Sequence, residues 1–233
     1  MGSSRTLGVI GGIAPPSTVD YYRALIAEYR ERRNDGSYPS VVINSIDLKL
    51  LLDLIAEGRL AELVAYLLAE VERLARAGAD LGLLASNTPH LVFDELARVS
   101  PIPLLSIVEA AAEEARRLGF RTVAVIGTRF TMSGGFYPDV FGRYGIAVLR
   151  PSAADAAYVH EKYVTELIPE RYLAETRRGV EAVIQRLGAA GADGVVLAGT
   201  ELPLLLRDGP AGDVPLLDAS RIHVRRAIDE LLR

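Results

Sequence analysis

Two short loops of matched design hold the residues best suited to chemistry. Ala85-Ser86-Asn87-Thr88 follows the apolar run Leu81–Leu84, and Ala198-Gly199-Thr200-Glu201 follows Gly194–Leu197. Small polar side chains just beyond a buried strand are where α/β proteins hold small anions. Ser86, Asn87 and Thr88 offer a hydroxyl, an amide and a second hydroxyl in consecutive positions, a donor set that suits a carboxylate. Thr88 also stands where it would cap a helix beginning near Leu91. Thr128 and Thr131, in Gly127-Thr128-Arg129-Phe130-Thr131-Met132, place two more hydroxyls around a strand end. Arg129 beside them is a candidate clamp, although a lone loop arginine is more often solvated. Glu201 reads as a general base or as an anchor for its loop, with the anchor favoured.

Gly11-Gly12-Ile13-Ala14-Pro15-Pro16-Ser17-Thr18 joins a strand to a helix. Its glycines permit a tight turn, and Ser17 or Thr18 would cap the helix, leaving N–H groups open to an anion. The run has neither the G-x-G-x-x-G spacing nor the Gly-Lys-Ser/Thr of a phosphate loop, so a nucleotide is weakly supported. His90 and His223 occupy corresponding places, each early in a helix after a motif. Acid/base support is one reading; packing and hydrogen bonding beneath the loops is the favoured one. Three widely separated histidines and no His-x-x-x-His pattern give no expectation of a metal site. The chain has no cysteine, which excludes disulfides, cysteine-ligated zinc and thiol catalysis.

The elements that must position these loops alternate along the chain. Strands are expected at 6–10, 40–45, 81–85, 104–106, 122–126, 147–150, 194–197 and 216–217. Helices are expected at 17–33, 60–77, 108–118, 153–166, 173–189 and 220–232. In 60–77, Leu60, Leu63, Val64, Leu67, Leu68, Val71 and Leu74 form one stripe, with Glu62, Glu70 and Arg73 off it. Such alternation predicts parallel sheets with right-handed crossovers.

The halves repeat. Val9-Ile10-Gly11-Gly12 answers Val125-Ile126-Gly127-Thr128, Ser86-Asn87-Thr88 answers Gly199-Thr200-Glu201, and Pro103-Leu104-Leu105 answers Pro215-Leu216-Leu217. Their common order and near-constant offset predict two pseudo-symmetric three-layer α/β domains with mostly parallel four-stranded sheets and a cleft between them. The domains are placed at 1–110 and 111–218, with a final helix at 219–233 free to return to the first.

The net charge of −4, with both signs mixed, suggests neither nucleic acid nor a membrane surface as partner. No apolar run approaches a transmembrane length, the start does not read as a signal peptide, and the cytoplasm is the default setting. Gly2-Ser3-Ser4 has the composition of a cloning remnant.

Taken together the motifs resemble the aspartate/glutamate racemase family, in its aspartate and broad amino-acid branch. The resemblance runs nearly end to end. It rests on Gly11-Gly12 with Pro15 and Thr18, Tyr21-Tyr22, Asn44-Ser45-Ile46-Asp47 and Asn87-Thr88-Pro89-His90. It continues through Pro103–Ile107, Gly127-Thr128 with Phe130-Thr131-Met132, Phe136-Tyr137, Thr200–Leu204, and Pro215–Asp218 with His223. It implies a cofactor-free site for a small amino acid or dicarboxylate, and commonly a homodimer. Gly12, Ser45, Asn87, Thr88, Thr128, Thr131, Thr200 and Glu201 would then contact substrate.

The family's chemistry, by the same resemblance, uses two thiols on opposite faces of the α-carbon. Here Ser86 and Gly199 stand at the two thiol positions. An unactivated serine is a poor base, and glycine has nothing to transfer a proton with, so the two-thiol route is closed. Three explanations follow. Ser86, Thr200, His90 or Glu201 relays protons, helped by water in space vacated at Gly199; the chain binds without turnover; or Gly199 replaces a native cysteine. A pocket widened at Gly199 would also admit a larger substrate.

Overall fold

The computed structural model describes residues 5–206 and 212–233; Gly2-Ser3-Ser4 lies outside them. The described residues form two compact units, one ending at Ile107 and completed by His223–Arg233, the other spanning Val108–Ile222. No helix among them is long and apolar enough to cross a membrane.

The first unit contains β1 (Thr6–Gly11), α1 (Pro15–Arg33), β2 (Ser40–Ser45), α2 (Leu48–Ala56), α3 (Leu60–Arg76), β3 (Leu81–Leu84), α4 (Phe93–Val99) and β4 (Leu104–Leu105). α5 (Ile107–Arg117) leads into the second unit. There follow β5 (Thr122–Gly127), α6 (Arg129–Ser133), α7 (Phe136–Arg143), β6 (Ala147–Leu149), α8 (Ala153–Lys162), α9 (Ala174–Ala189), β7 (Gly194–Ala198), α10 (Leu202–Leu205) and β8 (Leu216–Asp218). α11 (Ala219–Leu231) closes the chain.

The sheets run β2-β1-β3-β4 and β6-β5-β7-β8, one order written twice, and every pairing is parallel. β3 and β7 are buried along their whole length, as expected of parallel strands covered on both faces. All eight expected strands are present. Their lower ends are fastened alike. Thr6 N–H donates to the Asp80 carboxylate at 2.7 Å while Asp80 N–H donates to Thr6 O at 2.9 Å. Thr122 and Asp193 make the same reciprocal pair at 2.9 and 2.8 Å.

In α3 the stripe is buried at Leu63, Leu67, Val71 and Leu74, each worth roughly 2 kcal/mol on leaving water, well above differences in helix propensity. Leu60 is exposed instead, and Glu70, expected outside, is buried: its carboxylate accepts from Asn44 Nδ2 at 2.7 Å and from Arg73 at 2.6 Å. The segment 153–166 is not one α-helix. α8 ends at Lys162 and a π-helical turn, Tyr163–Leu167, follows. In the first unit, Val224, Ala227, Ile228 and Leu231 of α11 pack with Leu7, Val9, Tyr21 and Leu25.

Candidate functional site

The upper ends of β2, β1 and β3 gather Ser45, Gly12 and Ser86 in the first unit. Gly11 is in register with Ser45, and Ile10 with Leu84. Gly12 has φ +85°, and a Cβ there would lie 2.5 Å from Ile46 O. Only glycine fits this turn. Gly12→Ala is expected to cost about 2–3 kcal/mol in a urea titration; an unchanged midpoint would refute the packing.

One N–H of the turn, that of Gly12, is taken within the protein rather than left open. α1 begins at Pro15, with Ala14 at its N-cap, because proline suits the first helical position. Thr18 therefore lies inside the first turn and its hydroxyl accepts from Gly12 N–H at 2.8 Å. Ser17 donates to Ala14 O at 2.8 Å.

Beyond β3, Ser86, Asn87, Thr88 and His90 are all buried. Thr88 caps no α-helix: Thr88–Val92 is a 3₁₀ turn with Pro89 in its first positions, and α4 starts only at Phe93. Ser45 is exposed.

Neither histidine is a poised base. His90 Nε2 accepts from Ile107 N–H at 3.2 Å. Burial, followed by the neighbouring His223, pushes its pKa down to about 3, against the opposing pull of the Ser86 and Asn87 carbonyls. His223 Nε2–H donates to Leu105 O at 3.0 Å, so Nδ1 accepts from Tyr21 Oη at 3.0 Å. Burial pushes its pKa down to about 4. Both rings are neutral struts, and neither bonds Ser86 Oγ.

In the second unit the ends of β5 and β7 are in register at Gly127 and Ala198. Thr128 N-caps α6, accepting from Thr131 N–H at 3.3 Å, and the two hydroxyls lie 3.0 Å apart. Thr131 is buried and Arg129 exposed.

The second loop corrects the expectation of open space at Gly199. A Cβ at this position would stand 2.4 Å from Tyr163 Cε2 and 2.9 Å from Tyr163 Oη. The phenol ring occupies the volume of the missing side chain, so neither a free water space nor a widened pocket is found there. A cysteine at 199 would collide with Tyr163 as placed, so it would require the ring to shift. Tyr163 Oη donates to Glu201 Oε2, and Thr200 Oγ1 donates to the same oxygen at 2.8 Å. All three side chains are buried. Burial, then the Glu201 carboxylate, pushes the Tyr163 phenol well above the ordinary tyrosine range, so it stays protonated.

Tyr163 is the residue that sequence reasoning missed. It lies within the helix expected at 153–166, 36 positions from the glycine it fills. The π-helical turn begins at Tyr163, and such turns are frequent at functional sites. Glu70, read as lying off the apolar stripe, holds Asn44, the neighbour of Ser45.

Comparison with known proteins adds three findings. A family model described as Asp/Glu/Hydantoin racemase matches residues 10–227. The broad specificity amino-acid racemase RacX of Bacillus subtilis is 22% identical over 230 residues, covering 97% of this chain and 98% of that protein. Two solved structures superpose over 98% of this chain and all of theirs. They are a putative Asp/Glu racemase from Yersinia pestis (TM-score 0.90, 29% identity) and an aspartate racemase homologue from Pyrococcus horikoshii OT3 (TM-score 0.81, 32% identity).

Proposed function

Because the chain belongs to the Asp/Glu/hydantoin racemase family, we propose that it binds a small amino acid or dicarboxylic acid at its strand-end loops without exchanging the α-proton. One observation carries this reading: the Tyr163 ring fills the place of a side chain at Gly199. Residue types suited to a carboxylate stand in these loops at Asn87, Thr88, Thr128 and Thr131, while the Thr200 hydroxyl is turned to Glu201. The groups suited to proton transfer are not poised for it. Ser86 has no histidine partner, His90 and His223 are held neutral, and the Tyr163 phenol resists ionisation. The reading keeps the homodimer and cytoplasmic setting expected from the sequence.

A proton relay through Glu201 is the second reading, favoured by its buried carboxylate one residue beyond Gly199 and Thr200. Calorimetry with aspartate, glutamate and succinate, paired with proton NMR in heavy water, separates the two. The expected result is binding of at least one acid with its α-hydrogen retained. Binding by none would overturn the ligand class. Exchange that disappears in Glu201→Gln would establish the relay.

A further inference from the structure

Helix α6 has two working faces. Thr128 and Thr131 lie on one; Arg129, Met132 and Ser133, at helical spacing, lie on another and line a cavity of about 370 Å³ within the second unit. Met132, Pro151 and Ala156 supply apolar lining, while Arg129, Arg150 and His160 supply polar groups. The volume lies in the range of small-molecule sites and exceeds what a bare inorganic anion needs.

The polar groups are poorly used by the protein itself. The Arg129 guanidinium sits 5.4 Å from the Phe130 ring centre and makes no ion pair among the described residues. Among the described residues Arg150 reaches only Gly134 O, at 3.4 Å. His160 Nδ1 accepts from Arg129 N–H at 3.2 Å, which places the proton of the neutral ring on Nε2. That ring stays neutral, since burial and then Arg129 lower its pKa. Nε2–H has no partner among the described residues. Glu161 also lines the cavity, so two guanidinium groups and one carboxylate leave a net single positive charge.

We propose that this cavity binds a small organic anion with a compact apolar body, of the size of an aromatic carboxylate or phosphate monoester, at a site separate from Thr128 and Thr131. The guanidinium groups and His160 Nε2–H hold the anionic oxygens, and Met132, Pro151 and Ala156 cover the body. The proposal does not depend on amino-acid binding at the strand-end loops, and its probes are measured without an amino acid present.

Methionine labelling makes the test direct, because the chain has only Met1 and Met132. Protein carrying ¹³C-methyl methionine is titrated with benzoate, phenyl phosphate, benzyl alcohol and sulfate, and Met132→Leu assigns the signal. Benzoate or phenyl phosphate is expected to shift Met132 saturably, and whichever binds more tightly identifies the anionic group. Arg129→Gln and Arg150→Gln, two exposed positions tested separately, should each weaken that binding at least about tenfold. Benzyl alcohol and sulfate should bind more weakly by a similar factor. The proposal fails if neither aromatic anion shifts Met132 at millimolar concentration, if both arginine variants bind as the parent does, or if benzyl alcohol matches benzoate. Displacement by aspartate in simple competition would overturn the separateness of the site.

Discussion

Gly199→Cys is expected to destabilise the protein by about 2–3 kcal/mol, and Gly199→Ala by nearly as much. The conflict begins at Cβ, which would stand 2.4 Å from a ring carbon of Tyr163. The ring cannot swing away cheaply, because its hydroxyl is fastened to Glu201 and its face is packed in the core of the second unit. Tyr163→Ala alone should cost about 3–5 kcal/mol through the cavity it leaves. In Gly199→Cys/Tyr163→Ala the two losses must partly cancel, by roughly 1–3 kcal/mol, as the thiol enters the vacated volume. Urea titrations of the four proteins give this coupling directly. Additive losses would show that the residues do not share that space. The same pair decides whether catalytic groups can be restored. Adding thiols at Ser86 and Gly199 should give α-hydrogen exchange only when Tyr163 is also reduced, for example to valine.

Acidification from pH 7 to pH 5 should remove about 3–4 kcal/mol of stability through His90 and His223 alone. Burial pushes their pKa values in the folded protein down to about 3 and about 4, from the ordinary histidine value near 6.5. Below pH 6.5 the unfolded chain therefore binds protons that the folded chain refuses. Stability is full above that pH and declines as it falls toward 4 and then 3. Exposed carboxylates take up few protons above pH 5, so the window from 6.5 to 5 isolates the histidines, with His160 adding a smaller loss of the same sign. Urea midpoints at pH 7, 6 and 5 measure the decline, and His223→Gln should roughly halve its slope. A midpoint unchanged across that range would mean the rings are not buried in neutral form.

The sheets were legible because most of their strands are apolar runs, and the repeat gave each half the same number of them. α3 was legible from its stripe, while α2 escaped because Leu48–Ala56 is apolar on nearly every side. α6 and α7 are short and separated by Gly134-Gly135, too brief for periodicity to register. The start of α1 was misplaced although Pro15-Pro16 marks it, since the polar pair Ser17-Thr18 looked like a cap. The candidate loops were singled out by small polar residues following apolar runs. What filled Gly199 was not, because a glycine reports the absence of a side chain and says nothing of its replacement. That information sits at Tyr163, in another element, and only the fold joins them.

The Asp80 and Asp193 fastenings give the repeat a further meaning. At the lower ends of the strands the halves have kept the same residues, bonds and register. At the upper ends they have parted, with Ser86 against Gly199 and Thr18 holding Gly12 N–H where Thr128 instead caps its own helix. One polypeptide thus carries a single strand-end fastening twice, while the loops at the opposite ends of the same strands differ in residue and bonding.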